Sequence, residues 1–247
     1  MYNTPESSEP RKKNIFLRLL KWFFGTTILL VFISFLLVLS FRWINPPTSS
    51  YMIQQKYELQ NDNGESLEIK YQWVGWDQIS DYVKVAAITS EDQRFPEHNG
   101  FDFEAIEKAL EESQRGDNLR GASTITQQVA KNMFLWPGRS FIRKGIEAYF
   151  TVLIELCWSK RRILEIYLNI AEFGAGVFGV EAAASTYFGI PASKLSMLQS
   201  ALLITALPSP KRYNLHNPSP YMIKRRNWVL RYMHLLGNRD YLDRLEQ

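Results

Sequence analysis

The chain has 247 residues, 46% of them hydrophobic and 14% aromatic, and a formal net charge of +4. The length suits one domain of ordinary size plus an appendage, and the apolar content excludes disorder over most of the chain. The basic balance favours anionic partners (nucleic acid, anionic lipid or a phosphorylated substrate) without choosing among them.

Residues 1–21 are polar and basic and read as a disordered cytoplasmic tail. From Trp22 to Phe41 no residue is charged and most are Leu, Ile, Val or Phe. About 20 such residues span a bilayer core as a helix. Arg11, Lys12, Lys13, Arg18 and Lys21 precede this run and only Arg42 follows it closely, which places the N-terminus in the cytoplasm and the remainder outside. A cleaved signal peptide fits less well. The run is long, and Arg42-Trp43-Ile44-Asn45-Pro46-Pro47 follows it in place of a small-x-small cleavage site. Pro46-Pro47-Thr48-Ser49-Ser50 reads as a linker, and Gln55–Leu59 and Leu67–Gln72, joined by Asn63-Gly64, as a candidate hairpin. Residues 42–70 are thus expected to be a linker with that hairpin, and 71–247 a single mainly α domain.

Within that domain, Ser80 or Asp81 is placed to cap a helix through Val83–Ser90, and Phe103–Gln114 carries apolar residues at helical spacing. Thr124 followed by Gln127 has capping-box spacing and opens a helix toward Phe134, which Pro137-Gly138 breaks. A helical pattern runs from Ser140 toward Trp158 and contains the single cysteine, Cys157, read as a buried thiol. Another pattern crosses Ile163–Asn169. Gly174, Gly176 and Gly179 interrupt before Val180–Tyr187. Pro191-Ala192-Ser193 reads as the start of a helix reaching Leu207, and a last amphipathic helix covers roughly Tyr221–Leu236.

Four clusters are candidates for chemistry. Glu91-Asp92 ends an apolar helix, with His98 and Gly100 in the following loop. A carboxylate at the mouth of a helical core can have its pKa raised by desolvation and exchange a proton, with His98 orienting it; a solvated helix end is the plainer alternative. Ser123, Thr124, Gln127 and Gln128, followed by Lys131 and Asn132, offer hydroxyls, amides and free backbone N–H groups for anion or sugar contacts, or simply cap a helix. Arg139, Arg143 and Glu147 recur every fourth residue, with Lys144 beside them. Two guanidiniums can grip a pyrophosphate and Glu147 can hold an arginine or a divalent cation; an exposed salt-bridged face has the same spacing. In Lys160–Asn169, Glu165 reads as a structural partner of a nearby arginine.

In this order and spacing the clusters resemble glycosyltransferase family 51, the peptidoglycan glycosyltransferases. The matching stretches are Glu-Asp-x-x-Phe-x-x-His-x-Gly at 91–100, Gly-Ala-Ser-Thr-Ile-Thr-Gln-Gln at 121–128, Arg-Lys-x-x-Glu at 143–147 and Ile-Leu-Glu-x-Tyr-Leu-Asn at 163–169. A fifth similarity covers Gly179, Tyr187-Phe188-Gly189, Leu207-Pro208-Ser209-Pro210 and Tyr213-Asn214. One departure is Gln199, where the family usually has Glu. The resemblance is to monofunctional members: no Ser-x-x-Lys and no Lys-Thr-Gly occurs before the chain stops at Gln247, so no transpeptidase domain is expected.

The resemblance implies a mainly α, lysozyme-like domain behind a single N-terminal transmembrane helix of a bacterial inner membrane, with the catalytic domain periplasmic. The activity implied is polymerisation of lipid II into β-1,4-linked glycan by inverting transfer from a polyprenyl-pyrophosphate donor, in cell wall biogenesis. Glu91 would be the base and Glu147 the second catalytic carboxylate. Asp92, His98, Ser123, Thr124, Gln127, Gln128, Lys131, Asn132, Arg139, Arg143 and Lys144 would bind substrate. No tightly bound cofactor is implied, with Mg²⁺ or another divalent cation a candidate at Glu147 and the metal site otherwise unknown. The partners implied are lipid II, the growing lipid-linked glycan and the membrane. Proteins of cell-wall synthesis or division are further candidates, and nucleic acid is not a partner. A lytic muramidase and a non-catalytic membrane scaffold are the alternative readings.

Overall fold

A computed structural model describes residues 11–61, 68–115, 123–138 and 140–245. The expected mainly α architecture is present. Helix α1, Arg11–Ser40, is followed by α2 (Ser50–Asn61), α3 (Asp81–Glu91), α4 (Phe103–Gln114), α5 (Ile125–Phe134), α6 (Phe141–Cys157) and α7 (Lys160–Ile170). Then come α8 (Val180–Phe188), α9 (Met197–Ile204) and α10 (Pro220–Leu235). A small sheet has the order β1-β3-β2: β1 (Lys70–Tyr71) pairs in parallel with β3 (Val177–Phe178), which pairs antiparallel with β2 (Glu172–Gly174).

α1 starts at Arg11, inside the stretch expected to be a disordered tail, and its apolar span is Ile15–Ser40 with only 6% of the most apolar window buried. Its polar side chains are satisfied locally: Thr26 Oγ1 donates to Trp22 O at 2.7 Å, Thr27 Oγ1 to Phe23 O at 2.8 Å and Ser40 Oγ to Leu37 O at 2.7 Å. Such back-bonding suits a helix surrounded by hydrocarbon, where an unmet donor is costly. The C-terminal end of α1 is fastened to the domain. Ser34 Oγ and Tyr149 Oη are 2.6 Å apart, and Trp158 Nε1 donates to Val38 O at 2.7 Å. Arg162 donates to Phe41 O at 3.0 Å and to Ile44 O at 2.9 Å.

Two sequence expectations are corrected. Gln55–Leu59 is helical, within α2, so no hairpin forms there; its proposed turn at Asn63-Gly64 lies outside the described residues. α2 is fixed by tertiary bonds from Ser50 Oγ (2.7 Å) and Gln54 Nε2 (2.7 Å) to Leu135 O, which override the local alternation. The stretch from Pro191 to Leu207 is not one helix. A 3₁₀ turn at Ala192–Lys194 ends at Leu195, and α9 begins afresh with Ser196 as its cap. Gln199 closes that capping box by accepting from Ser196 N at 3.0 Å, a role Gln fills as well as Glu.

The core lies where α3, α5, α7, α8 and α9 meet, with Val83, Ile88, Ile125, Ile154, Leu164 and Leu203 fully buried. α3 and α5 enter this core and bring their ends to one cleft. The Thr124–Gln127 capping box is present: Gln127 N donates to Thr124 Oγ1 at 3.2 Å and Thr124 N to Gln127 Oε1 at 3.0 Å. Thr124 Oγ1 also donates to Gly100 O at 2.7 Å. Thr124→Ala removes the cap and this tie together and is expected to destabilise the domain by about 1–2 kcal/mol, read by chemical denaturation.

Candidate active site

Glu91 ends α3, half-buried, and its two carboxylate oxygens are used separately. Oε1 accepts from Ser90 Oγ at 3.0 Å and Oε2 from Gln128 Nε2 at 3.1 Å. Tyr167 Oη, fully buried, lies 3.4 Å from Gln128 Oε1. Burial raises the Tyr167 hydroxyl pKa well above its usual range and the charges of Glu91 and Asp92 push the same way, so it stays a neutral donor.

Asp92 faces inward and is buried. Its Oδ1 lies 2.8 Å from His98 Nε2 and its Oδ2 accepts from Ile125 N, at the start of α5, at 3.0 Å. A carboxylate at a helix N-terminus is favoured by the free amides and the helix dipole. The loop from Asp92 to Gly100 is backed by Lys160, which donates to His98 O at 2.5 Å and to Glu155 Oε1 at 2.8 Å and lies 4.6 Å from the Phe95 ring centroid. Thr126 Oγ1 donates to the same Glu155 oxygen at 2.6 Å. Gly100 has φ +84°, and a Cβ there would come within 2.6 Å of Thr151 Cγ2, so both conformation and space demand glycine.

Lys131 projects from α5 toward the start of α6. Partial desolvation on the cleft wall lowers its ammonium pKa; Glu147 opposes, Arg143 and Lys144 push further down, and Glu91 opposes weakly. Glu147 is buried, and Lys144 Nζ donates to its Oε1 at 2.5 Å. Arg143 and Glu147 stand one turn apart in α6, which begins at Phe141 behind the cap Ser140; Arg139 lies outside the described residues.

Two cavities meet at Gln128 and Pro208. The first, about 410 Å³, is lined by Lys131, Asn132 and Arg143 on one side and by Tyr51, Gln55 and Glu58 of α2 on the other. The second, about 870 Å³, holds Glu91 and Ser123 and runs along Lys224, Arg225 and Trp228 of α10. The structure thus brings Glu91, Ser123, Gln128, Lys131, Asn132 and Arg143 to one cleft. Gln127 is not among the residues lining either cavity: it is 5% exposed and its side-chain oxygen accepts from Thr124 N in the capping box. Thr124 and His98 hold the loop. His98 Nδ1 has no hydrogen-bond partner among the described residues. Among those residues, the His and carboxylate atoms close enough to share a cation belong to Asp92, His98 and Asp102, within 4.8 Å of one another. Asp92 is already bonded on both oxygens, and Asp102 caps α4 through Ala105 N at 3.0 Å.

The profile described as Transglycosylase matches residues 60–234. The chain belongs to the transglycosylase family. Relatives named biosynthetic peptidoglycan transglycosylase include one from Pseudomonas putida, 50% identical over 229 residues, covering 93% of this chain and 94% of the relative. One from Pseudomonas aeruginosa is 46% identical over 238 residues, covering 95% and 99%. One from Chromohalobacter salexigens is 53% identical over 213 residues, covering 86% and 91%.

Within this transglycosylase cleft, Glu165 has the structural role expected of it: Arg162 donates to its Oε2 at 2.7 Å and Trp76 N to its Oε1 at 2.9 Å. Two contributors escaped the sequence reading. α2 forms a cleft wall from a segment that reads as linker. Arg225 reaches across 135 residues to donate to Ser90 O at 3.2 Å and Ser90 Oγ at 3.3 Å, bracing the hydroxyl that bonds Glu91; the Lys224-Arg225-Arg226 run beside Trp228 was the available signal.

The Lys160–Glu155 pair is mostly buried, with side-chain exposures of 15% and 9%. Glu155→Leu strands the ammonium and is expected to destabilise the fold by roughly 3–5 kcal/mol, whereas adding Lys160→Met recovers most of the loss. Urea unfolding of both variants checks this; equal destabilisation would show that the pair is not what Glu155 contributes.

Proposed function

We propose that the cleft polymerises a lipid-linked disaccharide into peptidoglycan glycan, with Glu91 as the base. The observation that carries this is the position of the Glu91 carboxylate, held by Gln128 and Ser90 where a cavity with a basic wall joins a longer groove. A pyrophosphate leaving group requires fixed positive charge, which Lys131 and Arg143 supply, with Lys144 oriented by Glu147. Glu91 takes the proton of the acceptor 4-hydroxyl as that oxygen attacks the donor's anomeric carbon. The carbon–oxygen bond to the pyrophosphate breaks, and the lipid pyrophosphate leaves with the electron pair. A single displacement inverts the anomeric centre. Ser123, Asn132 and Gln128 line the sugar path, and Asp92 and His98 fix the loop behind the base. None of these steps uses a tightly bound cofactor, and Lys144 bonds one oxygen of Glu147. The names of the relatives support this reading, whereas a lytic hydrolase has no use for the basic wall.

The lipid tails of both substrates call for a cleft at a bilayer surface, and α1 supplies the anchor with its basic end cytoplasmic and the domain periplasmic. The outer face of α6 fits the interface: Phe141 is 98% exposed and Leu156 74%, with Ile142 and Val152 also exposed. Of the Met133–Trp136 stretch only Trp136 faces outward; Met133 and Leu135 are core, and Phe134 stacks on Phe150 at 4.5 Å. A phosphatase fused after Gln247 is expected to be active, and an inactive, folded fusion would reverse the orientation.

Glu91→Gln keeps size and reach but not basicity. It is expected to bind a substrate-mimicking inhibitor normally and to lose roughly 10²–10⁴-fold in polymer formation. Glu147→Gln is expected to lose inhibitor affinity as well, because Lys144 is released. Near-normal polymerisation by Glu91→Gln would remove it as the base. The depressed Lys131 pKa carries a sign: its charge is lost on the alkaline side before an ordinary lysine's, near about 10.4. Pyrophosphate inhibition is therefore expected to fade as pH rises toward that value, and Lys131→Arg to shift this limb upward. A limb unmoved in Lys131→Arg would assign the titration to another group.

A further inference from the structure

Two residues that line the first cavity each bury a polar atom left without a partner, and the two atoms are of opposite kind. Arg143 Nε, a donor, is buried and unpaired among the described residues. Gln55 Oε1, an acceptor, is also buried and unpaired, on a side chain 3% exposed in the opposite wall. The Gln55 amide cannot turn over to relieve this. Its Nε2 donates to Glu58 Oε2 at 2.8 Å, and a carboxylate accepts only, so the oxygen is held as the free end. A buried acceptor without a partner is destabilising, and its retention in a cavity is a sign of a ligand that supplies the donor.

The chemistry of the two atoms divides the ligand between them. A pyrophosphate diester, as in the lipid-linked donor, carries only acceptor oxygens at neutral pH. It suits Arg143 and Lys131 but offers nothing to Gln55 Oε1. The group that meets Gln55 must carry an N–H or O–H. We propose that α2 is the sugar-reading wall of the cleft, with Gln55 accepting from the acetamido N–H or a hydroxyl of the hexosamine attached directly to the pyrophosphate. This rests on the function proposed above and adds a residue that selects the sugar. α2 is braced for such a task. Ser50 and Gln54 bond Leu135 O, and Tyr51 Oη donates to Glu172 Oε2 at 2.8 Å in the cavity floor. Burial raises the Glu172 pKa, and the Tyr51 hydroxyl bond opposes that rise. Glu58 in turn lies 3.4 Å from Lys211, which holds the carboxylate that orients Gln55.

The test compares the full-length parent with Gln55→Met and Glu58→Leu in detergent, using lipid II as substrate and inorganic pyrophosphate as a competing probe. Gln55→Met keeps the side-chain length and removes the unpaired acceptor, so its melting temperature is expected to match or exceed the parent's. Its KM for lipid II should rise about tenfold, the equivalent of one hydrogen bond, with a smaller effect on kcat. Inhibition by inorganic pyrophosphate, which has no sugar, should be unchanged. Glu58→Leu, at an exposed position, frees the amide to rotate and should raise KM about threefold, a fraction of that bond. An unchanged KM in both variants overturns the proposal, and so does a parallel loss of pyrophosphate inhibition, which would mean that the whole cavity was disturbed. A parent that makes no polymer overturns the proposed function instead, whatever the variants do.

Discussion

The cleft depends on one carboxylate whose two oxygens are both bonded within the fold. Asp92 joins two elements that arrive from distant parts of the chain: the loop after α3, through His98, and the first turn of α5, through Ile125 N. With both oxygens occupied, α3 and α5 are held at a fixed separation, and their functional side chains, Glu91 and Gln128, meet at 3.1 Å. Everything further out is keyed to that join. Thr124 ties α5 back to Gly100, and Lys160 ties the same loop to α6 through Glu155. The adjacent acids of Glu91-Asp92 therefore divide the labour by orientation. One bonds Ser90 and Gln128 at the cleft, and the other gives both oxygens to the loop after α3 and the start of α5.

The parts of the fold written in local chemistry were legible. α4 and α5 begin and end where their caps and apolar spacing place them, and α6 and α7 follow closely, because Ser140 and Ser159 satisfy the first free amides of those helices. What was lost was decided by partners far along the chain. α2 has the alternation of a strand and is a helix because Leu135 O, about eighty residues on, accepts two of its side chains. The separate start of α9 was hidden behind Pro191, a stronger local signal than Ser196.

The site was legible to the level of clusters and less so to the level of roles. Gln127 and Gln128 are neighbours of identical chemistry, yet one closes a capping box and the other reaches Glu91, a distinction set by which way α5 faces. The basic run around Arg225 marked a positive patch, but its bond to Ser90 is created only by folding.

The fastening of α1 has a further consequence. Trp158 and Arg162 bond the backbone at the top of the anchor directly, and Tyr149 bonds Ser34 one turn lower, so the domain does not hang from a flexible tether. The cleft then keeps a constant height and heading above the lipid plane, and catalyst and lipid-borne substrates search for one another in two dimensions. Encounter becomes a matter of lateral diffusion and surface density, and a chain growing from such a site leaves always on the same bearing, like thread from a fixed spindle.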